Sequence, residues 1–213
     1  MDDGQEKNSF YIEHYNKFTK SCLQFCLLRL ATHPKIKELH ELCKTASEES
    51  GYEVWIPENV KEDITITKLP LEPDQCMLLS SPIYPLVDEK DHRDTYHIFL
   101  HIHPDICHNN VPVINNALPT DTDMSAMIDA VSYYNGAFVC EAIVSKNALC
   151  LFALASDIFS LIINDKEGIK DVLMTNTNNM AFEEKTDTEL EEAFLHLLGG
   201  GNPDAVLLTY KSM

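Results

Sequence analysis

Basic side chains are scarce in this sequence. Its 213 residues hold 16 Lys and Arg against 34 Asp and Glu, a formal net charge of −18. Such a chain would be repelled by a phosphate backbone, which argues against nucleic acid as a partner. No apolar run reaches 18 residues, so no transmembrane helix is expected and no membrane partner is implied. The opening residues, MDDGQEKNSF, are acidic and polar and lack the basic-then-apolar order of a secretory signal. No C-x-x-C pair occurs among the seven cysteines, at 22, 26, 43, 76, 107, 140 and 150. An odd count scattered through apolar segments reads as reduced thiols in an intracellular, cytoplasmic protein. Glycine and proline are also few, at 7 and 10, while 45% of the residues are hydrophobic. That is a globular composition with ample material for one core.

Along the chain, helical and strand patterns alternate without an internal repeat. Residues 1–21 are polar with interspersed aromatics and read as an N-terminal extension. CLQFCLLRL (Cys22 to Leu30) is nearly continuous in apolar character and fits a buried strand, although Cys22 and Cys26 are also spaced for one helical face. A helix should follow, capped by Thr32, with Pro34 in its first turn and Ile36, Leu39, Cys43 and Ala46 on one stripe before Gly51. YEVWI and DITITKL read as paired strands, and QCMLLSS as another. A helix is expected over TDTDMSAMIDAVSYYNG, with Met124, Met127, Ile128, Val131 and Tyr134 on one stripe. AFVCEAIV and ALCLFAL flank Ser145-Lys146-Asn147 as a hairpin, and IFSLIIN is a further strand candidate. Residues 166–213 are acidic, with a short helix around DTELEEAFLHLL and an apolar end, AVLLTY. The order predicts an α+β fold, one mixed sheet with a few helices packed on it.

The chemistry concentrates in HIFLHIHPD, His97 to Asp105. In a strand, alternate side chains share a face, so His101 and His103 lie together with Phe99 and His97, roughly 6.5–7 Å apart at their backbones. Two imidazoles so placed can converge on one metal ion, whereas His97 is about 13 Å from His101 along the strand, too far for the same ion. Pro104 lacks an N–H and ends the pairing. Downstream, Thr120-Asp121-Thr122-Asp123 opens the expected helix as T-x-x-D, which alone is a capping box. Upstream, Glu49 stands just before Gly51 in a helix-to-strand turn, with Glu48 and Glu53 close enough to replace it in another register. Cys107 and His108 read as residues of an exposed loop.

Taken in order the chain carries E…H-x-H-P…T-x-x-D, which resembles the JAMM (MPN+) zinc metalloproteases, whose signature is E…H-x-H-P…S-x-x-D. The resemblance covers residues 22–165 and implies a JAB/MPN-like domain: a mixed β-sheet flanked by helices, with extensions at both ends. It further implies a zinc ion (Zn2+) held by His101, His103 and Asp123, with the fourth position left for water. Glu49 would move the proton and Thr120 would donate to the oxyanion. The implied activity is that of an isopeptidase or peptidase, a deubiquitinase acting on a ubiquitin or ubiquitin-like conjugate. Threonine stands where the family has serine. Fifteen residues separate Pro104 from Thr120, more than the family pattern has, so 105–119 is expected to form an inserted loop beside the site that governs substrate access. That insert and the C-terminal segment are the candidate surfaces for a protein partner. Two competing readings remain: a non-catalytic MPN-like interaction domain with an occluded or degenerate metal site, and a metal oxygenase on a strand-rich barrel. The flanking helices weigh against the second.

Overall fold

The computed structural model describes residues 19–46, 49–70, 95–104, 117–133, 140–154, 164–169, 186–189, 192 and 206–213. Two helices open this part of the chain, α1 (Lys20–Ala31) and α2 (Pro34–Cys43). The strands β1 (Gly51–Pro57), β2 (Thr65–Lys68) and β3 (Thr95–Ile102) follow, then helix α3 (Asp121–Tyr133). Strands β4 (Cys140–Val144), β5 (Ala148–Leu154) and β6 (Val206–Ser212) complete the order. The result is an α+β fold around a six-stranded mixed sheet in the order β2-β1-β3-β4-β5-β6. Every neighbouring pair is antiparallel except β3 and β4. A parallel pair needs a crossover, and α3 lies in the connection that supplies it.

The segment Lys20–Ala31 corrects the strand expected over Cys22 to Leu30. Its buried residues, Leu23, Cys26, Leu27, Leu30 and Ala31, follow helical spacing, while Leu28 is 60% exposed. One outward leucine made the run look continuous and hid the period. The Oγ1 of Thr19 accepts from the Cys22 N–H at 3.3 Å and caps the helix. At the other end, Arg29 donates to the carbonyls of Pro57 at 3.0 Å and Glu62 at 2.7 Å, tying α1 to the β1–β2 turn.

Helix α2 forms where expected, with Pro34 in its first turn, but the cap is different. The His33 Nδ1 accepts from the Lys35 N–H, and Thr32 closes α1 instead. Ile36, Leu39, His40 and Cys43 make its buried stripe; the helix stops at Cys43, and Gly51 begins β1.

The helices sit on opposite faces of the sheet. Phe25 and Tyr96 rings meet at 5.9 Å, which puts α1 on the face shared by Tyr96, Ile98, Leu100 and Ile102. On the other face lie His97, Phe99 and His101, and α3 brings Asp123 to that side. Met124, Met127 and Ile128 of α3 are fully buried. With both faces covered, β4 and β5 are buried at every residue, the near-continuous apolar pattern expected of central strands. Strand β6, from the acidic C-terminal segment, pairs with β5 along its whole length. The Asp187 carboxylate accepts from the Ser212 N–H and hydroxyl, at 3.1 and 2.6 Å. Among the described residues, no helix is long and apolar enough to cross a membrane. The strand candidate QCMLLSS, positions 158–163 of IFSLIIN, and positions 105–116 of the insert lie outside the described residues.

Candidate metal centre

Strand β3 is held on both sides to its end. Gly51 of β1 pairs with His101, and Ile143 of β4 pairs with it from the other side. The pairing continues past Ile102: the Ile102 N–H donates to the Ser50 carbonyl at 3.1 Å and the His103 N–H to the Val144 carbonyl at 2.8 Å. The backbone carrying both histidines is therefore fixed, and both are buried.

The side chains converge as the spacing predicts. His101 Nε2 and His103 Nε2 lie 2.8 Å apart. Asp123 Oδ1 stands 3.6 Å from the first of these nitrogens, and its Oδ2 3.6 Å from the second. The three residues each offer one ligand atom, and all these atoms fall within 4.8 Å of one another. His101, His103 and Asp123 thus form a group that can hold a metal ion. A tetrahedral ion with bonds of about 2.0–2.1 Å sets its ligand atoms about 3.3–3.4 Å apart, inside the span of separations seen here.

Asp123 is aimed by a capping box. Its Oδ2 accepts from the Thr120 N–H at 2.7 Å and from the Thr120 hydroxyl at 2.8 Å, while Thr120 Oγ1 accepts from the Asp123 N–H at 3.2 Å. The capping reading of T-x-x-D and the ligand reading therefore describe the same carboxylate. Glu49 is exposed, precedes Ser50, and its charge acts on His101. Glu53, weighed as an alternative base, pairs with His97 at 3.0 Å. His97 stacks on Trp55 with ring centroids 4.1 Å apart, away from the metal group. Glu48, Cys107 and His108 lie outside the described residues. Among the described residues no cysteine is in a disulfide, and burial pushes Cys26 and Cys140 well up, as befits packing groups.

One charged residue of the site escaped the sequence reading. Glu141, in β4, is buried, and its Oε1 lies 2.8 Å from His101 Nδ1. Its Oε2 is buried with no hydrogen-bond partner among the described residues, which costs on the order of 1–3 kcal/mol. The signal was a lone carboxylate inside AFVCEAIV.

The electrostatics follow from this crowding of acids. Burial opposes charge on His101, but the charge and hydrogen bond of Glu141, with Asp123 and Glu49, outweigh it and push the imidazole up to about 9. Burial likewise opposes ionisation of Asp123, yet His103, His101 and the Thr120 amide hold it well below the usual carboxylate range. For Glu141 burial wins and its carboxyl is raised.

A pH dependence follows with a definite sign. A group whose folded pKa lies above its unfolded value stabilises the protein fully below the unfolded value. His101 therefore contributes to the metal-free protein below its ordinary 6.5, and that contribution is lost as pH rises through about 9. Urea midpoints of chelator-treated protein should fall between those limits, and a flat profile would count against a protonated His101. Metal must displace this proton, so below pH 9 the apparent affinity should weaken as pH falls, by about tenfold per pH unit for each proton released.

Compared with family models, curated proteins and solved structures, the chain matches none.

Proposed function

We propose that this protein is a zinc-dependent peptidase or isopeptidase of the JAMM type, on a JAB/MPN-like fold, acting on a ubiquitin or ubiquitin-like conjugate. The observation that carries the reading is the convergence of His101, His103 and Asp123 at the end of β3 and the start of α3. Two imidazoles and one carboxylate are a donor set suited to hydrolytic zinc. Zinc held there supplies Lewis acidity, making water acidic near neutral pH and polarising a carbonyl.

The rest is the work of this chain's own side chains. Glu49, exposed and acting by its charge on His101, takes a proton from the attacking water and delivers it to the leaving amine. Asp123 is fixed in place by the amide and hydroxyl of Thr120. When the Thr120 hydroxyl turns from Asp123 to substrate, it donates to the developing oxyanion.

That same hydroxyl favours the second reading. Thr120 Oγ1 is committed to Asp123 Oδ2 at 2.8 Å, and a threonine that only caps would belong to a non-catalytic interaction domain with an occluded or degenerate metal site. Elemental analysis of purified protein, together with cleavage of diubiquitin in the presence and absence of chelator, separates the possibilities. One equivalent of zinc with chelator-sensitive cleavage is the expected result. Zinc without cleavage of isopeptide or peptide bonds selects the interaction domain. Protein that takes up no metal overturns the zinc peptidase and leaves the interaction domain with an occluded or degenerate site.

A further inference from the structure

We propose that Glu141 is the positioning residue for His101: its carboxylate grips the imidazole at Nδ1 so that Nε2 presents its lone pair to the metal. The proposal rests on the metal-centre reading above and extends it to a residue outside the E…H-x-H-P…T-x-x-D pattern.

The two nitrogens of the His101 ring have divided surroundings. Nδ1 lies 2.8 Å from Glu141 Oε1, whereas Nε2 faces His103 Nε2 at 2.8 Å and Asp123 Oδ1 at 3.6 Å. An ionised carboxylate only accepts, so the proton of the neutral ring belongs on Nδ1, which frees Nε2 as a ligand. Ring orientation is fixed by the same contact. Glu141 comes from the neighbouring parallel strand, where it pairs with Phe99 while Ile143 pairs with His101, one diagonal step along the ladder. Both ends of the grip are thus mounted on central strands rather than on a loop.

Packing alone does not account for a glutamate at this place. Its neighbours Cys140, Ala142, Ile143 and Val144 are apolar and buried, and its own Oε2 is buried without a partner among the described residues. A carboxylate there is a poor core residue but a fitting outer partner for a metal-bound histidine, since such carboxylates set both tautomer and orientation.

The test compares metal affinity with fold stability in Glu141→Gln. Zinc and cobalt(II) are titrated against a chromophoric chelator, and urea unfolding is followed in excess chelator. The glutamine keeps an oxygen that can accept from Nδ1, but it is neutral and its amide can turn its donor to the ring. Metal affinity should drop about 10–100-fold in variant protein that remains folded in excess chelator, whatever the change in its metal-free urea midpoint. Unchanged affinity in the folded variant, with or without a fall in stability, overturns the positioning role and leaves the metal centre standing. If the unchanged protein itself takes up no metal, the metal-centre reading falls and this role with it. A second measurement does not depend on the variant folding. In zinc-loaded, ¹⁵N-histidine-labelled protein, His101 should show a protonated Nδ1 and a metallated Nε2; the reverse attachment overturns the proposal.

Discussion

His103→Ala should yield a folded protein that takes up no stoichiometric zinc, whereas His101→Ala should lose both the metal and a large part of its stability. Each substitution removes one of the two nitrogens that lie 2.8 Å apart in the metal group, leaving a donor set too small for a tight site. The two differ in what they leave behind. Glu141 Oε1 is 2.8 Å from His101 Nδ1, and its other oxygen already lacks a partner. Removing His101 strands a buried carboxylate, and breaking such a pair costs about 3–5 kcal/mol. Native domains have about 5–15 kcal/mol in all, so the loss is visible in any urea titration. Protonation of Glu141, which burial already favours, should soften the cost as pH falls. Metal content by elemental analysis and urea midpoints in excess chelator check both halves. Full zinc occupancy in either variant would remove that histidine from the ligand set.

The difference between these variants also marks where sequence reading stops. Strand β3 and its histidine pair were legible because alternation in HIFLHIH assigns a face to each residue without reference to anything distant. Asp123 was legible for a similar reason, since T-x-x-D is a local device that shows in four consecutive residues. Helix α1 was not, because Leu28 filled an outward position where a polar residue would have revealed the helical period. Leu28 is exposed, so the apolar run carried a residue the core does not use. Glu141 was beyond reach for another reason. Its role depends on β4 lying parallel to β3 in one register, a non-local pairing separated by α3 and the residues around it. A carboxylate amid apolar residues announces a buried charge but not its partner. The helix cap shows the same limit on a smaller scale: residue type points to Thr32, whereas the turn places Thr32 at the end of α1 and leaves His33 to cap the start of α2.

Glu49 is the residue on which the difference between a metal-holding domain and a hydrolase turns. It is exposed, stands beside Ser50 whose carbonyl accepts from Ile102, and its charge acts on the buried His101. It belongs to no metal group among the described residues. Glu49→Gln keeps size and polarity and removes basicity. Zinc should therefore remain bound through His101, His103 and Asp123. Stability should barely change, because exposed substitutions away from packed or paired groups usually stay within about 0.5 kcal/mol. Hydrolysis should fall by roughly 10²–10⁴-fold, the usual effect of losing a general acid–base group. A glutamate that serves only the surface would leave zinc, stability and rate alike unchanged. Glu53→Gln tests the neighbouring register, and it should differ in kind: Glu53 pairs with buried His97 at 3.0 Å, so its loss should register as stability before it registers as rate. Glu48→Gln completes the comparison. If Glu48 or Glu53 proves to be the variant that silences a zinc-loaded, stable enzyme while Glu49→Gln is neutral, the centre stands and the base is reassigned. If all three are neutral in an active enzyme, proton transfer runs through some other group and the JAMM-type mechanism is wrong for this protein.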